Sequence, residues 1–114
     1  MKRIDTKRLA LLTQIAEIKA TRAKAAAATR ARHVQALETQ RVEIMQKKLD
    51  VQPGLLDPAT AAQTGRWMTG FEERMRDLSA ETARARAGAE TAKEAARFEE
   101  GRRQVLAKLG RQAS

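Results

Sequence analysis

The sequence predicts an all-α fold, a long antiparallel two-helix coiled-coil hairpin, and three observations support this prediction. The 114-residue chain is rich in Ala, Glu, Gln, Lys and Arg, and aromatic residues make up only 3% of it, a composition typical of long helices. Its two prolines, Pro53 and Pro58, lie close together between two long proline-free segments. In both segments apolar residues recur at alternating steps of three and four, which indicates a stripe that faces a partner helix. We call this stripe the seam.

The first helix is expected from about residue 4 to residue 50. Its predicted seam has large side chains at both ends and alanines between them, including Ala23 and the run 25–28. The large seam residues of the first third are Ile4, Leu11, Leu12, Ile15 and Ile18, and those of the last third are Val34, Leu37, Ile44, Met45 and Leu49.

A turn is expected at about residues 51–57. Proline presets the backbone for the second position of a turn, and the glycine of Pro53-Gly54 tolerates the positive φ of the third position. Asp57-Pro58 is typical of a helix start, with Asp57 as the N-cap and Pro58 at the first helical position.

The second helix is expected from about residue 58 to residue 110, with an irregularity near residues 65–70, where Gly65 and Gly70 lie. Thr69 and Glu72 form a capping-box pattern there. Nine uncharged positions at heptad spacing predict its seam: Met68, Phe71, Met75, Leu78, Thr82, Ala85, Ala89, Ala92 and Ala96. Beyond them Glu99 and Arg103 interrupt the pattern, and the seam is expected to slip by one position. It would continue through Phe98, Val105, Leu106 and Leu109.

Folding the chain at the turn pairs residues whose numbers add to about 111. This register places the bulky residues Leu37 and Ile44 opposite Met75 and Phe71, and alanines opposite alanines. Small side chains allow two helices to approach closely. The match in size between the two seams supports an antiparallel pairing.

Composition and charge restrict the classes of function. The chain lacks cysteine and has no apolar run long enough to span a bilayer, so a soluble, cytoplasmic protein is expected. Its net charge of +9 favours an acidic partner, which could be nucleic acid, an anionic membrane or a protein surface.

No catalytic constellation is found, and we expect neither enzymatic activity nor a cofactor or metal. The single histidine, His33, has no second ligand nearby in the sequence. The adjacent pairs Glu72-Glu73 and Glu99-Glu100 point about 100° apart on a helix, so they do not converge on one reacting atom.

Two groups of residues are candidates for binding partners. When the hairpin closes, the two chain ends bring together cations that we call the basic pole: Lys2, Arg3, Lys7, Arg8, Arg102, Arg103 and Lys108. Near the turn, apolar residues too numerous for two helices to cover form a second candidate, the tip cluster: Ile44, Met45, Leu49, Trp67, Met68, Phe71 and Met75. Trp67 is the residue most expected to contact another protein.

Four features of the sequence bear on its family: the register of Leu9, Leu12 and Ile15, the Ala- and Arg-rich helix that follows, the segment 71–78 and the Arg-rich C-terminus. In these features the chain resembles the central-stalk proteins of flagellar and type III secretion export, the FliJ/YscO group. It implies a stalk whose terminal pole inserts into the hexameric ring of the export ATPase. It also implies that the tip reaches the export gate, a membrane protein, or the export chaperones.

Two other classes of function remain open. The first is a basic helical protein that associates with nucleic acid or an anionic membrane surface, although no specific nucleic-acid motif is present. The second is a structural coiled coil that self-associates, with the seam formed between chains.

Overall fold

The chain folds into two long helices. The computed structural model describes residues 5–51 and 58–113, with side chains at 5–50, 63 and 65–113. Helix α1 spans Thr6–Val51 and helix α2 spans Pro58–Ala113, and the described residues contain no strand. The predicted all-α helical hairpin is confirmed.

The start of α1 is capped by Asp5. The Asp5 carboxylate accepts a hydrogen bond from the Lys7 backbone N–H at 3.0 Å, and the Asp5 carbonyl accepts one from the Leu9 N–H at 2.9 Å. Such a cap satisfies donors that have no partner in the first helical turn.

Helix α2 begins at Pro58, the residue that the sequence places at the first helical position. The turn residues Pro53, Gly54 and Asp57 lie outside the described part of the chain. The irregularity expected near residues 65–70 is absent, since α2 is continuous there. Thr69 is not a cap: its hydroxyl donates to the Gly65 carbonyl at 3.1 Å, a bond made inside a helix.

Contacts divide the fold into two compact units, and both helices contribute to each. The first unit contains Met1–Ala31 and Gly88–Ser114, and the second contains Arg32–Ala87. In the second unit the buried core consists of Leu37, Ile44, Phe71 and Leu78, two residues from each helix at seven-residue spacing.

The seam of α2 follows an unbroken heptad repeat. All nine predicted positions from Met68 to Ala96 are buried or half-buried, which confirms them. The predicted one-position slip is wrong, because Glu99, Arg103, Leu106 and Gly110 continue the same repeat and are half-buried. Of the four residues predicted for the slipped seam, Phe98 and Val105 are exposed, whereas Leu106 and Leu109 are half-buried.

The seam of α1 also follows one repeat, but it differs from the prediction near the start of the helix. Leu11, Leu12, Ile15 and Ile18 are exposed, so their assignment to the seam is wrong. The seam passes instead through Leu9, Thr13, Ala16, Ala20, Ala23, Ala27, Val34, Leu37, Arg41, Ile44 and Lys48, all buried or half-buried. Met45 and Leu49, also predicted there, are exposed as well. Near the start of α1, Leu9 and small residues keep the phase that Leu37 and Ile44 set, and the larger side chains of Leu11, Leu12, Ile15 and Ile18 are exposed.

Cross-helix contacts show that the helices are antiparallel and set their register. In the second unit the Lys48 ammonium lies 5.1 Å from the centre of the Phe71 ring. In the first unit Thr6 and Leu9 line one groove together with Gly110 and Ala113. Facing positions therefore add to about 119, two helical turns from the expected 111. The expected register places the two helices at equal distances from the turn. The observed register is shifted because the helices differ in length, with 46 residues in α1 and 56 in α2.

Candidate binding surfaces

Ion pairs identify the two sides of the hairpin. If the heptad is written abcdefg with the seam at a and d, then Lys24, Glu38, Arg86 and Glu100 all occupy e positions. Lys24 Nζ lies 2.9 Å from Glu100 Oε2 in the first unit, and Arg86 pairs with Glu38 in the second. In each unit, therefore, e faces e on one side, and positions g and c of both helices share the other side.

Two cations hold the Glu100 carboxylate. This carboxylate accepts hydrogen bonds from Arg103 Nε at 2.9 Å and Nη2 at 2.7 Å, in addition to the Lys24 contact. The bonds from Arg103, and then that from Lys24, lower the pKa of Glu100 to about 2, and the same carboxylate raises the pKa of Arg103. Arg103, predicted for the basic pole, is thus a half-buried seam residue with an internal partner.

A groove lies on the g and c side of the second unit. It has a volume of about 460 Å³ and contains the exposed Trp67, so we call it the Trp67 groove. It is lined by Gln40, Glu43, Ile44, Lys47, Trp67, Gly70, Phe71 and Arg74. The groove is open beside Gly70, because this residue has no side chain and a Cβ built there would meet nothing within 4 Å.

Phe71 forms the floor of this groove. Its ring stacks on Trp67, with centroids 5.6 Å apart and planes 15° apart, and Lys48 approaches the ring as well. Stacking and cation–π contact both hold an aromatic side chain in place. Trp67 is thereby oriented while more than a third of its surface stays accessible, at 36%.

The predicted tip cluster divides into three groups. Ile44 and Phe71 are buried, Met68 and Met75 are half-buried, and Met45, Leu49 and Trp67 are exposed. Trp67 lies on the groove side, whereas Met45 and Leu49 occupy e and b positions on the ion-pair side. The cluster therefore does not form a single surface.

The described cations of the basic pole all belong to the first unit. Lys7, Arg8, Arg102 and Lys108 are exposed near the paired ends of α1 and α2. Lys2 and Arg3 lie outside the described residues.

The first unit also carries an apolar surface that the sequence reasoning missed. It consists of Leu11, Leu12, Ile15 and Ile18 from α1 with Phe98 and Val105 from α2, and we call it the apolar face. These side chains are 41% to 64% exposed. Extending the α2 repeat through Glu99 and Arg103 would have revealed it, because that phase places Phe98 and Val105 outside the seam.

The described residues offer no evident place for a metal. They contain no group of three or more His, Asp or Glu side chains that could hold one, and His33 is exposed. Within the same residues, neither helix has a stretch long and apolar enough to cross a membrane.

Comparison of this chain with family models, with curated proteins and with solved structures finds no match.

Proposed function

We propose that this chain is a non-enzymatic coiled-coil stalk of a type III or flagellar protein export apparatus, located in the cytoplasm. One observation carries the proposal. In the antiparallel helical hairpin, the start of α1, the end of α2 and four exposed cations belong to the same unit. This is the architecture implied by the resemblance to the central-stalk group.

The basic pole is the proposed contact with the export ATPase. Lys7, Arg8, Arg102 and Lys108 are exposed on the first unit, where they can meet acidic side chains of a ring-shaped partner. Because exposed charges are screened by salt, this contact should weaken as ionic strength rises.

The Trp67 groove is the proposed contact with the export gate or an export chaperone. Stacking on Phe71 fixes the orientation of Trp67 before a partner arrives, which lowers the entropy lost on binding. Lys47 and Arg74 outnumber the single carboxylate of the lining, Glu43, which favours a partner segment that carries carboxylates beside an apolar side chain.

The test is ATP turnover by a hexameric export ATPase with and without this protein. We expect the wild type to bind and stimulate turnover, and the Lys7→Glu, Arg8→Glu, Lys108→Glu triple variant to lose both effects. A control triple variant, Arg66→Glu, Arg76→Glu, Arg84→Glu, makes the same change in charge at exposed residues of the second unit. If wild type does not bind, or if both variants behave alike, the proposed stalk function is wrong.

The basic surplus supports a second candidate, association with nucleic acid or an anionic membrane. A protein that neutralises several phosphates shows a steep linear fall of log K with log salt concentration. We expect only a shallow slope on duplex DNA, since acidic residues such as Glu90 and Glu94 are spread along α2. A steep slope together with a failure to bind the ATPase would favour the second candidate.

A further inference from the structure

The apolar face lies on one side of the first unit and draws on both helices. Leu12 is a g residue, and Ile15, Phe98 and Val105 are c residues, whereas Leu11 and Ile18 are f residues on the outer surface of α1 next to Ile15. The e–e pair between Lys24 and Glu100 places positions g and c of both helices on the opposite side. The face therefore borders the groove between two helices, where a third helix can pack.

The charges along the length of the apolar face are positive. Its flanking side chains are Arg8, Lys19, Arg22 and Lys108, all exposed. In the register of the seam, the acidic residues of this side, Asp5 and Glu94, lie at the two ends of the face. Asp5 is also engaged in capping α1.

Arg102 lies within the apolar face and not at its edge. It occupies the turn between Phe98 and Val105, and its guanidinium lies 5.9 Å from the centre of the Phe98 ring. Gly101 leaves a notch beside it, lined by Phe98, Val105 and Leu106, in which a Cβ at Gly101 would meet nothing within 4 Å. The notch can accept an apolar side chain, and Arg102 can meet a carboxylate next to it.

We propose that the apolar face binds an acidic amphipathic helix of a partner protein. Its apolar residues would cover Ile15, Phe98 and Val105, and its carboxylates would pair with the flanking cations. From residue 8 to residue 22 the face extends roughly 21 Å at 1.5 Å per residue, about four turns of such a helix. The apolar face shares Arg8, Arg102 and Lys108 with the basic pole, whereas Lys19 and Arg22 belong to the face alone. The inference does not depend on the proposed stalk function.

Charge disfavours the two alternative occupants of the apolar face, a second copy of this chain and an anionic membrane. A second copy would bring five cations of one face against five of the other, and like charges at an interface are repulsive. An anionic bilayer would bury Arg102 at the depth of Phe98, which costs free energy unless the guanidinium reaches the headgroups. A partner helix supplies the counter-charge at that point.

The test uses a designed fluorescent helical peptide of about 20 residues, with Leu at a and d and Glu at the flanking positions. A second peptide carries Lys in place of Glu. We expect the Glu peptide to bind, the Lys peptide to bind at least about tenfold more weakly, and high salt to reduce the difference. Hydrogen exchange should show new protection in segments 8–19 and 98–109 when the Glu peptide is bound.

Variants distinguish binding at the apolar face from nonspecific hydrophobic binding. Phe98→Gln should weaken binding of the Glu peptide about tenfold, whereas Val42→Gln, at a 68% exposed position of the second unit, should change it less than about twofold. Lys19→Glu with Arg22→Glu should weaken it similarly without touching the basic pole. Circular dichroism checks that each variant stays helical.

Three results would overturn the proposal. They are equal binding of the two peptides, dimerisation that Phe98→Gln abolishes, and Phe98-dependent binding to phosphatidylserine vesicles without binding of the Glu peptide. The first rules out charge selection, and the other two identify a second copy or a membrane as the occupant.

Discussion

Phe71 links the core of the second unit to its exposed groove. It is buried with Leu37, Ile44 and Leu78, and the same ring supports Trp67 and contacts Lys48. A single side chain thus contributes to stability and also orients the surface that we propose for binding.

Truncation of Phe71 should therefore destabilise the hairpin strongly. We expect Phe71→Ala to lower the free energy of unfolding by about 3–5 kcal/mol, the usual range for a buried Phe. Phe98→Ala is the matched control, since Phe98 is 64% exposed, and should change the value by less than about 0.5 kcal/mol. Urea unfolding followed by circular dichroism measures both, and equal losses would contradict the assigned seam.

Glu100 should make stability depend on pH in the acid range. Its pKa is lowered to about 2 in the folded state from an ordinary value of 4.5, so the ionised form is favoured by folding. This stabilisation is present above pH 4.5 and is lost as the pH falls towards 2.

Thermal unfolding of Glu100→Gln tests this pH dependence. The variant should melt below the wild type at pH 6, and the two melting temperatures should converge near pH 2. Glu94→Gln, at an exposed position on the same helix, should not show such a converging difference. A Glu100→Gln offset that is constant from pH 6 to pH 2 would show that the ion pair is not responsible.

At the scale of the helices, the phase of the repeat decides which residues are buried. The uncharged stripe from Met68 to Ala96 could be predicted because it holds nine consecutive heptad positions. In α1 the same reasoning failed near the start, because Leu11, Ile15 and Ile18 are larger than Ala16 and Ala20. Hydropathy assigns the larger residues to the seam. The heptad repeat that continues from Leu37 and Ile44 instead places the alanines there, and Ala16 and Ala20 are the buried residues.

The candidate sites were predictable to a different extent. Clustering of Trp67, Phe71 and Ile44 followed from the expected turn, since all three lie near it in sequence. Burial of Phe71 and not of Trp67 also followed, because the predicted seam contains Phe71 and not Trp67. The stacking of Trp67 on Phe71 did not follow, because a heptad pattern does not specify side-chain orientation outside the seam. The apolar face was missed for two reasons. In α1 hydropathy assigns Leu11, Leu12, Ile15 and Ile18 to the seam, and in α2 the charges of Glu99 and Arg103 suggest an interruption of the repeat that does not occur.

The alanine seam of α1 should not tolerate a large side chain. Ala20 is 1% exposed, and Ala20→Leu should cost about 1–3 kcal/mol of unfolding free energy because the added atoms have no room. Ala25→Leu, at an exposed position five residues on, is the control and should be nearly neutral. Urea denaturation of the two variants distinguishes seam from surface, and a stabilising Ala20→Leu would show that this position is not packed.

At the scale of the whole molecule, the register of the seam determines which side chains stay exposed at the two proposed binding surfaces, the apolar face and the Trp67 groove. A pairing that adds to about 119 exposes the apolar face and leaves Trp67 beside an open groove. A pairing that adds to about 111 would bury Leu12 and Ile15 against Phe98 and Ala96, and no lateral apolar face would remain. Both proposed surfaces require that the hairpin closes within one chain.

Cysteine cross-linking tests the register most directly, because the chain has no native cysteine. Ala23→Cys with Ala96→Cys occupies facing seam positions, whereas Ala23→Cys with Gly88→Cys matches the alternative pairing. Mild oxidation should form a disulfide within the monomer rapidly in the first pair and slowly in the second. Faster closure of the second pair, or disulfides that form only between chains, would contradict the register and with it the exposed apolar face.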